Sequence, residues 1–198
     1  ETFGEVARLK DGLDLVTVCE EARCPDIDEC WSAGTATFML MGDICTRRCG
    51  FCAVSKGVPR PLDPDEPRHI GEATRKLGVK HAVITSVNRD ELPDGGAQHF
   101  ADTVTAIKNI SPETRVELLV PDFLGDLDAL DVVLDTGPHI VAHNTETVPR
   151  LYRRVRPQGV YRRTLDVIAH ISQKPDIMSK TGLMLGIGET DDEVIEVM

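Results

Sequence analysis

The sequence predicts an α/β fold built on a parallel β-sheet. Short apolar stretches with strand character alternate with helical stretches along the 198 residues, and this order is typical of βαβ units. The predicted strands cover residues 36–42, 81–87, 115–121, 139–143 and 181–186, and the predicted helices cover residues 70–77, 98–108 and 165–171. Parallel sheets of this kind carry their chemistry at the carboxyl ends of the strands, so we expect functional residues directly after these stretches.

Local patterns indicate the remaining elements. Residues 55–68 hold four prolines, which predict an extended connection. Thr190 and Glu193 form a capping box, in which each side chain bonds the backbone of the other residue, and this predicts the start of a helix. That helix stops at Met198 after about two turns, too short to be stable alone, and the chain begins with Glu1. We therefore expect a fragment shortened at both ends; the alternative is a short terminal helix docked on the core.

Composition excludes two classes of partner. The 22 basic and 33 acidic residues give a net charge of −11, which argues against wrapping of nucleic acid. No segment approaches the roughly 18 consecutive apolar residues of a membrane span, and the first ten residues contain no apolar signal region. The sequence therefore predicts a cytoplasmic protein, or one of an organelle matrix in a eukaryote, that binds neither nucleic acid nor membranes.

Six cysteines lie within residues 19–52, and the sequence contains no others. A disulfide framework would usually be spread through a short secreted chain, so metal or cluster binding explains the crowding better. The cysteines form two triplets, Cys19-x4-Cys24-x5-Cys30 and Cys45-x3-Cys49-x2-Cys52. Zinc sites usually use paired elements and four ligands, whereas three thiolates can hold three irons of a four-iron cluster and leave the fourth iron open.

The second triplet, placed after a predicted strand and with Phe51 before its last cysteine, resembles the radical S-adenosylmethionine (SAM) superfamily. Together with the first triplet it resembles lipoyl synthase in particular. Similar motifs occupy residues 18–25, 29–31, 35–39, 85–90, 92–97, 116–117, 121–123, 143–144, 146–152 and 155–157. Residues 182–189 resemble the superfamily's adenine motif, with Met184 where isoleucine is usual.

Two features depart from that family. Residues 24–30 are more acidic than the family's loop, and Asp26 and Asp28 would lower the potential of a nearby cluster. The family's C-terminal serine, which ligates the first-triplet cluster, has no counterpart in these residues, and a sixth barrel strand is not predicted.

The resemblance implies a partial TIM-like (β/α) barrel of the radical SAM type over residues 35–198, lacking its last strand. Residues 1–34 would form an N-terminal extension for an auxiliary cluster. By this resemblance Cys45, Cys49 and Cys52 bind a 4Fe–4S cluster that cleaves SAM reductively to a 5′-deoxyadenosyl radical. Cys19, Cys24 and Cys30 would bind a second 4Fe–4S cluster, which is consumed as the sulfur source for C6 and C8 of a protein-bound octanoyl-lysine.

The resemblance also implies SAM contacts and protein partners. The expected cofactor-binding residues are Phe51, Asn88, Arg89, Asp90, Asn144, Glu146 and Met184. Without the resemblance, helix caps or surface ion pairs explain the polar members of this set better. The implied partners are octanoylated lipoyl carriers (dehydrogenase E2 subunits and the glycine cleavage H protein), reduced ferredoxin or flavodoxin, and an iron–sulfur carrier protein.

One basic island stands out in the acidic chain. Its members are Arg150, Arg153, Arg154, Arg156, Arg162 and Arg163. Contact with the SAM carboxylate, the clusters or an acidic carrier protein is one interpretation, and a solvated helix face paired with local acids is the other.

Three other functions compete with lipoyl synthase. Another sulfur-inserting radical enzyme similar to biotin synthase is one, although the first triplet argues against it. A non-catalytic iron–sulfur electron carrier normally ligates each cluster with four protein groups. A zinc-stabilised binding module is the third, and iron with acid-labile sulfide would exclude it.

Overall fold

The computed structural model describes residues 15–18, Glu29 and residues 35–198. Its strands are β1 (Thr35–Leu40), β2 (Ile44–Cys45), β3 (Ser55–Lys56), β4 (His81–Ser86), β5 (Arg115–Leu119), β6 (Ile140–Ala142) and β7 (Met178–Lys180). Five of them form one sheet in the order β1-β4-β5-β6-β7, and every pairing in that sheet is parallel. The α/β fold with a parallel sheet is therefore confirmed.

Helices lie between the strands of this sheet and after the last of them. They are α1 (Glu66–Lys76), α2 (Ala97–Ile110), α3 (Leu127–Leu134), α4 (Tyr152–Val155), α5 (Tyr161–Ser172) and α6 (Asp191–Val197), with 3-10 turns at Phe123–Gly125 and Pro149–Leu151. In the part of the chain that the structure describes, none of these helices is long and apolar enough to cross a membrane.

Most predicted elements match observed ones, but one strand was wrong, and the helices α3 and α4 and the short strands β2 and β3 had not been predicted. The fifth strand is Met178–Lys180, whereas residues 181–186 form a loop that meets the rest of the fold through a bridge between Glu146 and Leu183. Glycines at 182 and 186 interrupt this apolar segment, and Gly186 adopts a φ of +90° that ends extended structure. Helix α3 had not been predicted, although Asp126 caps it by accepting from the backbone N of Ala129 at 3.0 Å.

Alternate residues of each strand serve two different surfaces. Phe38, Leu40 and Ile84 are almost fully buried in the apolar core. Their neighbours Met39 and Thr85 are paired in register and line a cavity. Because successive side chains of a strand point to opposite faces, the sheet can hold the core with one set and build a binding site with the other.

A strained turn connects β1 to the cysteine-bearing loop. Met41 has a φ of +68°, which is uncommon for any residue other than glycine. Its backbone N donates to both oxygens of the Glu66 carboxylate, at 3.0 and 3.2 Å, and its carbonyl accepts from Arg89 Nη1 at 3.2 Å. The carboxylate also bonds His99 Nε2 at 2.5 Å. These buried partners fix where the loop leaves the sheet.

The capping box predicted at Thr190 is confirmed. Thr190 Oγ1 accepts from the backbone N of Glu193 at 3.4 Å, and the Glu193 carboxylate accepts from the backbone N of Thr190 at 2.9 Å. The same carboxylate pairs with Arg150, which ties the start of α6 to the turn at Pro149–Leu151.

Candidate active site

A cavity of about 350 Å³ opens where β1, β4, β5 and β6 end. Its apolar wall comes from Val18, Met39, Val54, Val87, Leu119, Val120 and Pro121. Its polar and sulfur-bearing wall comes from Cys45, Arg47, Cys49, Cys52, Asn88, His143, Asn144, Glu146 and Arg156. An apolar concavity with a few converging polar groups is the usual form of a small-molecule site.

The three cysteines of the second triplet all face this cavity. Cys45 ends β2, while Cys49 and Cys52 lie in the loop that leads to β3. All three are half-buried and free of disulfide bonds. The Cys45 Sγ accepts from the backbone N of Arg47 at 3.4 Å and of Asn88 at 3.3 Å. Amide donors of this kind stabilise a sulfur that carries negative charge.

Burial and the neighbouring arginines act on the pKa of the Cys49 thiol in opposite directions. Burial raises the pKa of the Cys49 thiol, and the neighbouring Cys52 and Cys45 raise it further, while Arg156 and Arg47 lower it. The thiol therefore keeps its proton until a metal replaces it, so metal binding here releases protons.

The donor set fits an iron–sulfur cluster better than a single metal ion. Within residues 15–18, 29 and 35–198, no three acidic, histidine or cysteine side chains converge closely enough to bind one ion. In a four-iron cluster each cysteine thiolate would bind a different iron. The three cysteine sulfurs would therefore lie around the cluster rather than around one ion. Three free thiols around one cavity, with amide donors and Arg156 nearby, meet that requirement.

The cavity wall beside Cys45 carries a buried acceptor that has no partner in the described part of the chain. Asn88 Oδ1 is buried and has no hydrogen-bond partner among the described residues. A buried polar atom without a partner is costly, so it marks a place where a ligand can donate. Glu146 lies nearby on the same cavity and has a φ of +65°, a backbone conformation that is often found at functional sites.

Glu146 joins two strand ends. Burial raises the pKa of the Glu146 carboxyl, whereas a hydrogen bond from Asn144 and the charge of Arg156 lower it. Its backbone N donates to Gly182 O at 2.9 Å, and its carbonyl accepts from Met184 N at 2.9 Å. The motif at residues 182–189 is thereby held next to the cavity.

Three expected SAM contacts, Arg89, Asp90 and Met184, do not line the cavity, and their role in SAM binding stays a prediction. Arg89 is buried elsewhere, where it binds Glu91 and the carbonyl oxygens of Met41 and Arg60. Asp90 binds Arg47, and Met184 bonds the carbonyl of Glu146 through its backbone N. The other expected contacts face the cavity, namely Phe51, Asn88, Asn144 and Glu146. The first triplet, Cys19, Cys24 and Cys30, lies outside the described residues.

Four arginines of the basic island differ in their partners. Arg156 is buried at the cavity, where its Nη1 donates to Asn144 O and to the Tyr152 hydroxyl, both at 2.9 Å. Arg163 binds Asp122, and Arg150 and Arg162 pair with acids at the surface. In the sequence, Arg156 differs from the other five arginines only in that it stands directly before Pro157.

His143 lies in the cavity wall and is almost fully buried. Its Nδ1 bonds Val120 O at 2.8 Å, and its Nε2 bonds Thr164 Oγ1 at 3.2 Å. Burial lowers the pKa of His143 to about 4. The folded chain therefore keeps this imidazole neutral at pH values where an unfolded histidine, with a pKa of about 6.5, takes up a proton.

This histidine predicts a pH-dependent stability. Between about pH 6.5 and pH 4 the unfolded chain binds one more proton at His143 than the folded chain. The free energy of unfolding should therefore fall by about 3 kcal/mol as the pH drops through that range. Urea unfolding at several pH values checks this, with His143→Gln as the matched variant. An equally steep pH dependence in the variant would contradict the assignment.

Comparisons with known proteins agree with this geometry. The family model of the radical SAM superfamily matches residues 39–198. The lipoyl synthase of Chromobacterium violaceum is 52% identical over 200 residues, which cover 100% of this chain and 64% of that protein. The lipoyl synthase of Caldanaerobacter subterraneus is 54% identical over 199 residues, which cover 100% of this chain and 70% of that protein. The chain spans 61–64% of the length of the lipoyl synthases from Chromobacterium violaceum, Laribacter hongkongensis and Rubrobacter xylanophilus.

Solved structures show the same fold at low sequence identity. The FeFe-hydrogenase maturase HydG from Carboxydothermus hydrogenoformans superposes with a TM-score of 0.67 at 15% identity, covering 98% of this chain and 51% of that chain. Methylornithine synthase (PylB) superposes with a TM-score of 0.63 at 14% identity, covering 96% and 58%. These neighbours and the five-stranded parallel sheet agree with a partial TIM-like barrel of the radical SAM type. The chain belongs to the radical SAM superfamily and, within it, to the lipoyl synthase family.

Proposed function

We propose that this chain is a sulfurtransferase of the lipoyl synthase kind, which inserts sulfur at C6 and C8 of a protein-bound octanoyl-lysine. The observation that carries the proposal is the meeting of Cys45, Cys49 and Cys52 at one cavity, in a chain 52–55% identical to lipoyl synthases along its whole length. Those relatives disfavour a biotin-synthase-like enzyme, an electron carrier and a zinc module.

Family membership implies a 4Fe–4S cluster and SAM, and Cys45, Cys49 and Cys52 are the residues that fit the cluster. When bound, the pair supplies the one-electron cleavage of SAM to a radical that removes hydrogen from an alkyl carbon. The protein's own part is to bind and orient. The buried Asn88 Oδ1 and the Glu146 carboxylate accept from the SAM ammonium or ribose hydroxyls, and Arg156 offsets negative charge.

The apolar wall of the cavity suits an aliphatic substrate. Met39, Leu119 and Val120 line it beside the strand ends. Their apolar side chains do not hold water by strong hydrogen bonds. Burying an alkyl chain there is favourable by about 0.8 kcal/mol for each methylene group. The same wall excludes water from the reacting carbon.

We propose a second 4Fe–4S cluster on Cys19, Cys24 and Cys30, which serves as the sulfur donor. Residues 1–34 would then form the auxiliary-cluster extension, and residues 35–198 the partial barrel. The proposal rests on the triplet spacing and on the similarity of lipoyl synthases over these positions.

The proposed partners follow from this reaction. An octanoylated lipoyl carrier, such as a dehydrogenase E2 subunit or the glycine cleavage H protein, supplies the substrate, and reduced ferredoxin or flavodoxin supplies electrons. An iron–sulfur carrier protein would rebuild the consumed cluster. We propose the cytoplasm as the site of action, because free thiols and reducible clusters need a reducing compartment.

An anaerobic assay tests the proposed function. The reconstituted protein is incubated with dithionite, SAM and an octanoyl-lysine peptide, and the peptide is analysed by mass spectrometry, with SAM omitted in a parallel reaction. We expect two sulfur atoms to be added only when SAM is present. Release of 5′-deoxyadenosine without a gain of sulfur would reject lipoyl synthase activity for this chain.

A further inference from the structure

Arg47 lies between two cysteines of the triplet, yet its side chain is turned into the protein and is only 3% exposed. Its guanidinium binds both oxygens of Asp90, from Nε at 2.7 Å and from Nη2 at 2.8 Å. The same Nη2 bonds Asp122 Oδ1 at 2.5 Å. A planar fork with several fixed donors is needed to reach two carboxylates at once, and lysine cannot reproduce it.

The two carboxylates belong to different parts of the sheet. Asp90 follows β4, and Asp122 follows β5 and caps the 3-10 turn at Phe123–Gly125. Asp122 is fully buried and also binds Arg163 on α5 at 3.2 Å. Burial opposes ionisation of Asp122, but Arg47, Arg163 and the backbone N of Leu124 together lower the pKa of its carboxyl. Arg47 therefore ties the cysteine loop to the carboxyl ends of two neighbouring strands.

Backbone contacts of the loop are made next to this side chain. Thr46 donates to Asn88 O from its backbone N at 3.1 Å and from its hydroxyl at 3.0 Å. The backbone N of Arg47 and of Asn88 both donate to Cys45 Sγ. Moving the Arg47 side chain would thus disturb the amides that surround the first cysteine.

The charges of this network cancel. Arg47 and Arg163 are two cations, and Asp90 and Asp122 are two anions, in mutual contact. The network therefore has no net charge. Arg156, whose Nη1 bonds a carbonyl and a hydroxyl, is the better candidate for offsetting cluster charge.

We propose that Arg47, held by Asp90 and Asp122, is a positioning residue that fixes the three-cysteine loop on the strand ends before any cluster binds. The first part of the test concerns the metal-free chain alone. Its second part rests on the proposed function, because it needs the cluster.

Hydrogen–deuterium exchange of the metal-free chain is the first part. Arg47→Lys keeps the positive charge but loses the planar guanidinium that binds two carboxylates at once. Asp90→Asn removes the charge of one of those two carboxylates. Both variants should exchange the backbone amides of residues 45–52 about tenfold faster than the unchanged chain, because local opening becomes easier. Arg48→Gln is the matched control, since the Arg48 side chain is exposed and only its backbone N bonds Gln158. Unchanged exchange in Arg47→Lys would overturn the proposal.

Loss of the reconstituted cluster to an iron chelator is the second part. We expect loss to be about tenfold faster in Arg47→Lys and Asp90→Asn than in Arg48→Gln, at a temperature where all three remain folded. Equal rates in all three would reject the positioning role. If the unchanged chain takes up no cluster, the proposed function fails while the exchange result still decides the role of Arg47. If Arg47→Lys does not fold, the Asp90→Asn variant serves for both parts of the test, because Asp90 is partly exposed and its substitution disturbs the fold less.

Discussion

Replacing Cys49 with alanine is expected to lower the rate of SAM cleavage by at least about a thousandfold, as removal of one member of a catalytic unit commonly does. Cys49 faces the cavity together with Cys45 and Cys52, and the other two thiols cannot hold three irons. Release of 5′-deoxyadenosine under dithionite, followed by chromatography, measures the effect. Iron and sulfide analysis should show that the second-triplet cluster is missing.

Arg48→Gln is the matched control for this variant. It changes the same loop at an exposed side chain that does not line the cavity. We expect its rate to stay within about twofold of the unchanged protein, because an exposed charge is strongly screened. A Cys49→Ala protein that cleaves SAM at the normal rate would show that this triplet does not bind the reactive cluster.

Replacing Gly182 with alanine is expected to weaken SAM binding by about ten- to a hundredfold. A Cβ at this position would lie 2.9 Å from Asn144 Oδ1 and 3.2 Å from Asn144 Cγ. The Asn144 side chain must then move and lose its hydrogen bond to Glu146. Because we propose that Glu146 accepts from the SAM ammonium, moving its partner Asn144 also disturbs that contact. A hydrogen bond to a charged ligand group contributes about 1.5–3 kcal/mol to binding, which corresponds to this range of affinity. Calorimetric titration of the cluster-loaded protein with SAM measures it.

A double variant separates this clash from other causes. In an Asn144→Ala background the contact is already gone, so Gly182→Ala should cost little further affinity. Gly57→Ala is the control for adding a methyl group, because its Cβ would meet Ile44 Cγ2 at an ordinary 3.4 Å. Full additivity of the Gly182 and Asn144 variants would contradict the proposed contact.

The cysteine site could be predicted from the sequence because its information is local. Three thiols within eight residues, directly after an apolar stretch, must lie near one strand end in any parallel sheet. Strands β1, β4, β5 and β6 were found for the same reason, since each lies in a short, mainly apolar stretch. The strand predicted at residues 181–186 is wrong because its apolar residues are interrupted by Gly182 and Gly186, and Gly186 turns the chain.

Side-chain direction could not be predicted in the same way. Asn88, Arg89 and Asp90 are consecutive, yet only Asn88 faces the cavity. The Arg89 side chain donates to the carbonyl of Met41, and the Asp90 carboxylate accepts from Arg47. Both partners are more than 40 residues away in the sequence, so nothing in the local pattern marks them.

The central claim is that Cys45, Cys49 and Cys52 hold one cluster with an open iron that SAM reaches. Low-temperature electron paramagnetic resonance of the dithionite-reduced protein tests it most directly, in a variant with Cys19, Cys24 and Cys30 replaced by alanine. The account predicts about four irons per chain and a signal whose g values shift when SAM is added. A signal that SAM leaves unchanged, or a variant that binds no iron, would contradict it.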